Sequence, residues 1–417
     1  IGILVTLILS IVASSVLSDL WGREWMTVLL SFQVTAPYLH IGGVGLITLL
    51  SWPIAFHVFR LNMKELVLKL FAQSTVNRHV FVCVLVSRIA IMLPYMTAIV
   101  SLYLAPLGLK SPCIKDSRNL GSAPALIGHR GAPMLAPENT YMSFEMALAA
   151  GADGLETDVT ISYDGVPFLM HDKNLLRTTD GEDVFPNWTH VSPAMFTWRE
   201  LQSLNAGSWF FSQDPFRTAS SLSSGQRLQA QNQSVCTLRS FLDLAAQYGK
   251  LVVFDLYRPP RGHPYRDTWI TQTLDVIHNQ SSIHSSQVLW LPPELRDFVQ
   301  ELDPELQQIT HEQAPVEELQ LRRIARLNIH YSSMSETEIR KYAAANISTN
   351  LYVVSEPWLY SLAWCSGAHS VATNAVHILK KLQRPLFLMT PDEYRLMWTL
   401  TDITSLILIM MIFMFHW

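Results

Sequence analysis

A small set of side chains in this sequence has the types and spacing to handle a phosphate ester. His129 and Arg130 follow the apolar run Ala125–Gly128, and His171 and Asp172 follow Val166–Met170. Glu156 and Asp158 lie two apart within Gly154–Ser162, a spacing that turns both to one face of a strand. Asp255 lies near the end of Leu251–Leu256. Three carboxylates are hard oxygen donors, suited to Ca²⁺ or Mg²⁺ rather than to a thiolate-seeking metal. Two imidazoles from different strands suit a general acid and a general base on either side of a reacting centre. The planar guanidinium of Arg130 matches a phosphate. A divalent ion, an arginine and two histidines together point to phosphoryl transfer without a redox step. Which histidine is the base stays open. Glu138, in the run Pro137-Glu138-Asn139-Thr140, either touches the site or anchors the next helix. Asp172 and Arg177 are expected to orient the His171 loop. Trp209, Phe210, Phe211 and Trp358 are expected in the core, with pocket lining as the alternative.

These residues need a scaffold that brings strand ends together. From Ala125 the chain alternates short apolar runs with helical patterns. Besides the four runs above, the strands are expected at Val288–Leu291, Gln307–Thr310, Leu327–Tyr331, Asn350–Ser355 and Ser370–Asn374. Helices are expected at Tyr141–Ala150, after the N-capping residues Asn139 and Thr140, and at Leu238–Tyr248, Thr268–His278, Val316–Arg326, Glu336–Ala345 and Pro357–Cys365. Such alternation predicts a parallel sheet with helical crossovers, and about eight strands fit an α/β fold of the (β/α)8 TIM-barrel type. The barrel's active sites form at the C-terminal strand ends, so the candidate groups converge. Lys173–Gln233 breaks the rhythm and is expected as an insertion over one barrel face.

The flanks differ in character. Charged residues make up only 15% of the chain, where roughly a quarter is usual. The shortfall concentrates in the apolar flanks. Ile1–Leu17, Tyr38–Phe59, Ile89–Gly108 and Met397–Trp417 are candidate membrane spans, because a hydrocarbon core of ~30 Å takes about 20 apolar residues. Trp25–Ala36 is expected in the interface or as an extension of the next span. Residues 1–110 are thus read as a membrane region, 111–394 as the barrel domain with its insertion at 173–233, and 395–417 as a last span. The chain starts on Ile1 within an apolar run and is expected to be a piece of a longer protein. Arg60–His79 carries Arg60, Lys64, Lys69 and Arg78 against Glu65, whereas Asp19–Glu24 is acidic. The positive-inside rule puts the basic loop in the cytosol and the barrel domain outside it. Arg88 is expected at the inner boundary. The triplets starting at Asn187, Asn232, Asn279 and Asn346 fit glycosylation acceptors and all fall in the outside domain. Cys113, Cys236 and Cys365 lie there too, with their pairing open. A net charge of −4 and a pI near 6.4 give no basic surface for nucleic acid. The spans are expected to lack paired charges, which argues against a transporter. Oligomeric state is not legible.

The runs LIGHRGAPMLAPENT at Leu126–Thr140, LETDVTISYDGVPFLMHD at Leu155–Asp172 and LLRTTDG at Leu175–Gly181 resemble the glycerophosphodiester phosphodiesterase family. The likeness spans about Ala125 to Pro385. The flanking spans and Thr390-Pro-Asp-Glu-Tyr394 look like its multi-pass membrane branch, whose catalytic domain is extracellular or lumenal at the plasma membrane or in the secretory pathway. The resemblance implies that His129 and His171 are catalytic, that Arg130 binds phosphate, and that Glu156 and Asp158 ligate a Ca²⁺ or Mg²⁺ ion. The family's third ligand is a Glu in an E-x-K strand. Here Asp255 and Tyr257 stand in those places, and Arg258 is a candidate for the missing positive charge. The implied reaction is hydrolysis of a glycerophosphodiester by two-histidine acid/base catalysis through a cyclic phosphate. Glycerophosphoinositol, glycerophosphocholine, lysophospholipid and a glycosylphosphatidylinositol anchor are alternative substrates. A catalytically impaired receptor or binding domain is the rival reading.

Overall fold

The computed structural model describes residues 2–71, 76–188, 190–333 and 335–417. The chain forms two compact units. One comprises Ile1–Asn119 with Phe387–Trp417, and the other is Leu120–Leu386.

The second unit is built on strands β1 (Ala125–His129), β2 (Gly154–Ile161), β3 (Pro167–Leu169), β4 (Leu251–Leu256), β5 (Val288–Trp290), β6 (Gln307–Thr310), β7 (Arg326–His330), β8 (Ser348–Tyr352) and β9 (Ser370–Thr373). Eight of them run parallel in the order β1-β9-β8-β7-β6-β5-β4-β2, and β1 also pairs with β2, so the sheet closes into a barrel. The expected (β/α)8 barrel is present.

One strand differs from expectation. The run Val166–Met170 is not a barrel stave. Its core, β3, folds back antiparallel on the end of β2, pairing Val159 with Leu169 and Ile161 with Pro167. The reason is a tight turn between them. Gly165 has φ +94°, a left-handed value that glycine adopts without strain. Ser162 Oγ accepts the Val166 N–H at 2.9 Å, which closes the turn.

Aliphatic side chains fill the barrel interior. Ile127, Val253, Leu289, Leu291, Ile309 and Ala372 form one buried cluster. On the neighbouring strands Asn350 Nδ2 donates to Asn328 Oδ1 at 2.7 Å, and Ser370 Oγ donates to Asn350 Oδ1 at 2.7 Å. Outside the sheet, Phe144 on the helix Tyr141–Ala149 packs on Phe241 of the helix Leu238–Gln247, with centroids 4.7 Å apart. The insertion has its own core, in which Phe168, Met170, Leu175, Phe196, Leu201, Leu204, Ala206 and Val235 cluster.

The first unit consists mainly of the helices Gly2–Phe71, Val76–Gly108 and Pro391–His416. Among the described residues three stretches are long and apolar enough to cross a membrane: Glu24–Val67, Val82–Gly108 and Pro391–His416. The first helix runs unbroken through Asp19–Glu24, where a loop was expected, and through Trp25–Ala36, which extends the next span past Pro37, the second of its two expected readings. No proline interrupts that part, and the prolines inside this helix, Pro37 and Pro53, lie further on. At ~1.5 Å per residue the helix is about 105 Å long, well beyond a hydrocarbon core. The side chains of residues 1–9, Lys69 and Arg78, and Thr189 of one acceptor triplet, lie outside the described residues.

The expectation that the spans lack paired charges is not met. His40 Nε2 stands 3.5 Å from Asp402 Oδ1, with both residues buried, and Arg88 pairs with Glu65. Thr48 Oγ1 and Ser405 Oγ share a hydrogen bond at 2.6 Å, and Tyr103 donates to Ser405 at 2.8 Å. These polar side chains thus find partners on neighbouring helices, which lowers the cost of burying them. Cys113 and Cys365 are disulfide-bonded, whereas Cys83 and Cys236 are free.

Candidate active site

Strand register assembles the site. In β1 and β2, His129 is opposite Glu156, and in β2 and β4, Asp158 is opposite Asp255. Parallel neighbours lie ~4.8 Å apart, so three adjacent strands bring one imidazole and three carboxylates together. One oxygen from each of Glu156, Asp158 and Asp255 lies within 4.8 Å of the other two. Burial raises the Glu156 pKa well above the ordinary carboxylate range, and the neighbouring carboxylates of Asp158 and Asp255 raise it further. Three crowded carboxylates of this kind form a site that a hard divalent cation would neutralise, and the donor set fits one. The shorter Asp255 still reaches the other two.

The His-Arg-Gly turn after β1 shapes the rest. Arg130 and Gly131 both have positive φ, +53° and +86°. A Cβ on Gly131 would come within 2.6 Å of the Ser143 carbonyl carbon, so this position requires glycine. The turn aims the Arg130 N–H at Glu156 Oε2, 2.9 Å away. Arg130 Nε lies 3.1 Å from Asp158 Oδ2, an ion pair set off the hydrogen-bonding direction.

The Pro-Glu-Asn-Thr run divides its labour residue by residue. Thr140 caps the helix Tyr141–Ala149 by accepting from the Ser143 N–H. Asn139 Nδ2 donates to Asp158 Oδ2 at 3.1 Å and its Oδ1 accepts from Thr157 at 2.8 Å. Glu138 accepts from Arg130 Nη1 at 2.9 Å and from both terminal nitrogens of Arg177, at 2.9 and 2.6 Å. Burial resists its ionisation, but the Arg177 and Arg130 guanidiniums hold the Glu138 pKa below the usual value. Arg177 also donates to Asp172, whose Oδ1 lies 2.8 Å from His171 Nδ1. A continuous polar chain therefore runs from His171 through Asp172, Arg177 and Glu138 to Arg130.

Each histidine is held through Nδ1. His129 Nδ1 is 2.7 Å from Asn374 Oδ1, an acceptor, so Nδ1 carries the proton and Nε2 is left for chemistry. Asp172 does the same for His171. Burial, then the adjacent Arg130 charge, lowers the His129 pKa, although the Asn374 bond opposes this.

His129, Arg130, Glu156, Asp158, His171 and Asp255 all line one cavity of about 270 Å³. His171 reaches it from the β3 hairpin rather than from a barrel strand end. The cavity also contains residues that sequence reasoning missed. His311 follows β6, with Nε2 3.6 Å from Asp255 Oδ1, and His330 ends β7. Burial opposes charge on His311, and its contact with Asp255 outweighs this and raises its pKa. The strand-end rule that found His129 would have found both had it been applied to β6 and β7. Asn374, just past β9, was open to the same rule.

Arg258 does not stand in for the missing lysine in this cavity. It is tied to Asp267 Oδ1 at 2.7 Å and lines a second cavity instead. Tyr257 also lines the second cavity, and its hydroxyl donates to Asp158 Oδ1, on the wall of the first, at 3.0 Å. Trp209 and Phe210 are buried in a separate cluster of the insertion, with Ala219 and Leu222, and Phe211 packs against it. Neither they nor Trp358 line these two cavities. Trp209 instead lies under the Arg177 guanidinium, 5.7 Å from ring centroid to charge.

A profile described as the Glycerophosphoryl diester phosphodiesterase family matches residues 129–377. The chain is 45% identical over 414 residues to human glycerophosphodiester phosphodiesterase domain-containing protein 5, covering 99% of this chain and 64% of that protein. It is 43% identical over 416 residues to the chicken protein of the same name, covering 100% of this chain and 66% of that one. It thus spans about two thirds of these relatives. Mouse glycerophosphoinositol inositolphosphodiesterase is 41% identical over 416 residues, covering 99% of this chain and 72% of that protein. Among solved structures, an Oleispira antarctica phosphodiesterase in complex with the product sn-glycerol-3-phosphate aligns at a TM-score of 0.50 and 24% identity. That alignment covers 62% of this chain and 96% of that one. A putative glycerophosphoryl diester phosphodiesterase from Silicibacter pomeroyi aligns at 0.51 and 20%, covering 68% and 99%. These two structures share the barrel fold.

Proposed function

The chain belongs to the glycerophosphoryl diester phosphodiesterase family, and from that premise we propose that it hydrolyses glycerophosphodiesters by two-histidine acid/base catalysis in the cavity over the acidic triad. One observation carries the reading. Two imidazoles each held through Nδ1, one arginine and three clustered carboxylates line a single cavity at the C-terminal end of a parallel barrel.

The steps follow from those groups. Arg130 countercharges the phosphate oxygens. A hydroxyl next to the diester, such as the glycerol 2-hydroxyl, attacks phosphorus. One of His129 and His171 takes its proton, and the other protonates the departing alkoxide. A cyclic phosphate results, and water opens it with the two proton transfers reversed. Glu156, Asp158 and Asp255 would hold Ca²⁺ or Mg²⁺, which supplies Lewis-acid charge to the phosphate oxygens. Asn374 and Asp172 keep each ring in the tautomer this requires. Residues 111–394 form the catalytic domain between membrane spans, outside the cytosol at the plasma membrane or in the secretory pathway, by the distribution of basic residues. The glycosylation triplets fit that side.

The test is hydrolysis of a panel of glycerophosphodiesters by the detergent-purified chain with Ca²⁺, Mg²⁺ or EDTA, beside His129→Ala and His171→Ala. Metal-dependent release of a phosphomonoester, reduced ~10²–10⁴-fold in kcat by either variant, is the expected result. Turnover that survives both single variants, or EDTA, would sink the mechanism. A folded chain that binds Ca²⁺ and hydrolyses nothing would leave the binding-domain reading.

A further inference from the structure

Resting on that catalytic reading, we propose that a second cavity beside the first is the subsite for one alcohol arm of the diester, and that it selects a polyhydroxylated arm, neutral or phosphate-bearing. The cavity measures about 690 Å³, within the roughly 300–1,000 Å³ of small-molecule sites. Two residues join it to the first. His171 lines both cavities. The Tyr257 side chain borders the second cavity, while its hydroxyl bonds Asp158 on the wall of the first. A diester whose phosphorus lies over the triad, with one ester oxygen at His171, directs the arm on that side into the second cavity.

The lining states what that arm must be. Thr160, Asn174 and Ser192 offer two hydroxyls and an amide. Asn174 Oδ1 accepts from the Leu176 N–H at 3.1 Å, which leaves its Nδ2 to donate to a ligand. Lys173 adds positive charge, and Arg258 a guanidinium already shared with Asp267. The one carboxylate on this wall, Asp172, is already committed to His171 and Arg177. A quaternary ammonium finds here no free carboxylate, and beside the Tyr257 ring only the His171 imidazole, 6.4 Å between centroids and edge-on, rather than a cage of phenol and indole faces. Met170, Pro193, Pro260 and the Tyr257 ring line the rest of the wall and would pack on the carbon skeleton of a ring polyol. A polyol satisfies the hydroxyls and amide, and a phosphate on it would meet the cations. Lys173, Asn174 and Ser192 come from the segment after β3, and Tyr257 and Arg258 from the loop after β4. Selection thus sits outside the acid/base and carboxylate set.

The experiment measures kcat/KM of the full chain in detergent on glycerophosphoinositol, glycerophosphocholine and glycerophosphomethanol, for wild type, Ser192→Trp and Asn174→Ala. Wild type is expected to favour the inositol over the choline diester by at least tenfold. Ser192→Trp, which fills the cavity, is expected to lower the inositol-to-methyl ratio of kcat/KM about tenfold, mainly through KM. Asn174→Ala, which removes little volume, reads the same ratio should the tryptophan disturb folding. A choline diester handled as well as the inositol one, or variants that leave the inositol-to-methyl ratio unchanged, would overturn the subsite. Absence of turnover on all three by wild type would instead overturn the catalytic reading beneath it.

Discussion

Replacing Glu138 by Gln tests whether one carboxylate couples the two catalytic loops. Glu138 accepts three hydrogen bonds, from Arg130 after β1 and from Arg177, which in turn braces Asp172 and His171. The amide keeps the volume and removes the charge, so two guanidiniums lose their common counter-ion. Removing one partner of a fully buried pair costs about 3–5 kcal/mol. Here the Arg130 and Arg177 side chains keep 16% and 35% of their exposure, so water recovers part of that and about 2 kcal/mol is expected. At ~2–4 °C per kcal/mol for a unit of this size, Tm should fall by about 4–8 °C. Loosening Arg130 and the His171 loop by a fraction of an ångström should lower kcat/KM by up to about 10²-fold. The assay is thermal unfolding and steady-state hydrolysis for Glu138→Gln, Arg177→Met and the double variant. The two changes act on one network, so their effects should fall short of additivity by about 1 kcal/mol or more. Additive losses, or a Glu138→Gln enzyme with unchanged kcat/KM, would refute the coupling.

Further outcomes follow from the same geometry. Asp255→Asn removes one of three charges from the acidic cluster and should weaken Ca²⁺ binding at least ~10-fold; calorimetry showing unchanged affinity would remove Asp255 from the ligand set. Burial resists ionisation of Asp172, but bonds from His171 and Arg177 hold its pKa well below the ordinary carboxylate value. Its contribution to stability is therefore complete above the unfolded-state value near ~4 and is lost only as pH falls further, through the depressed folded value. The Tm gap between wild type and Asp172→Asn should stay level from pH 7 to 5; a gap that closes by pH 6 contradicts this. Gly131→Ala forces a Cβ into a left-handed turn against Ser143 and should cost about 1–2 kcal/mol or more, read by denaturant titration. A neutral Gly131→Ala would mean the turn is not as tight as described.

The sequence made some of this legible because its signals were local. An E-x-D spacing on a strand fixes a shared face, and apolar runs alternating with helices fix a parallel sheet. Tertiary choices left weaker traces. The hairpin of β3 reads like any apolar run, and only the Gly165 turn reveals that it folds back. Register is likewise invisible until strands pair, so the His129–Glu156 and Asp158–Asp255 neighbours could not be read in advance. His311 and His330 were overlooked because a lone histidine after a strand carries little weight without knowing that its strand closes the same barrel. In the helical unit His40 and Asp402 are distant in sequence, and nothing local says that they meet.

The bond between His129 and Asn374 joins residues 245 positions apart. The carboxylates and the His171 chain all come from residues 130–255, so a ribosome delivers the acidic cluster while the second half of the barrel is still unmade. The acceptor that fixes the His129 ring arrives with β9, the last stave. A nascent or truncated chain lacking it would have its carboxylates without an oriented imidazole. If His129 acts as proposed, closure of the barrel and activation of the enzyme are one event, and a partly synthesised copy stays silent.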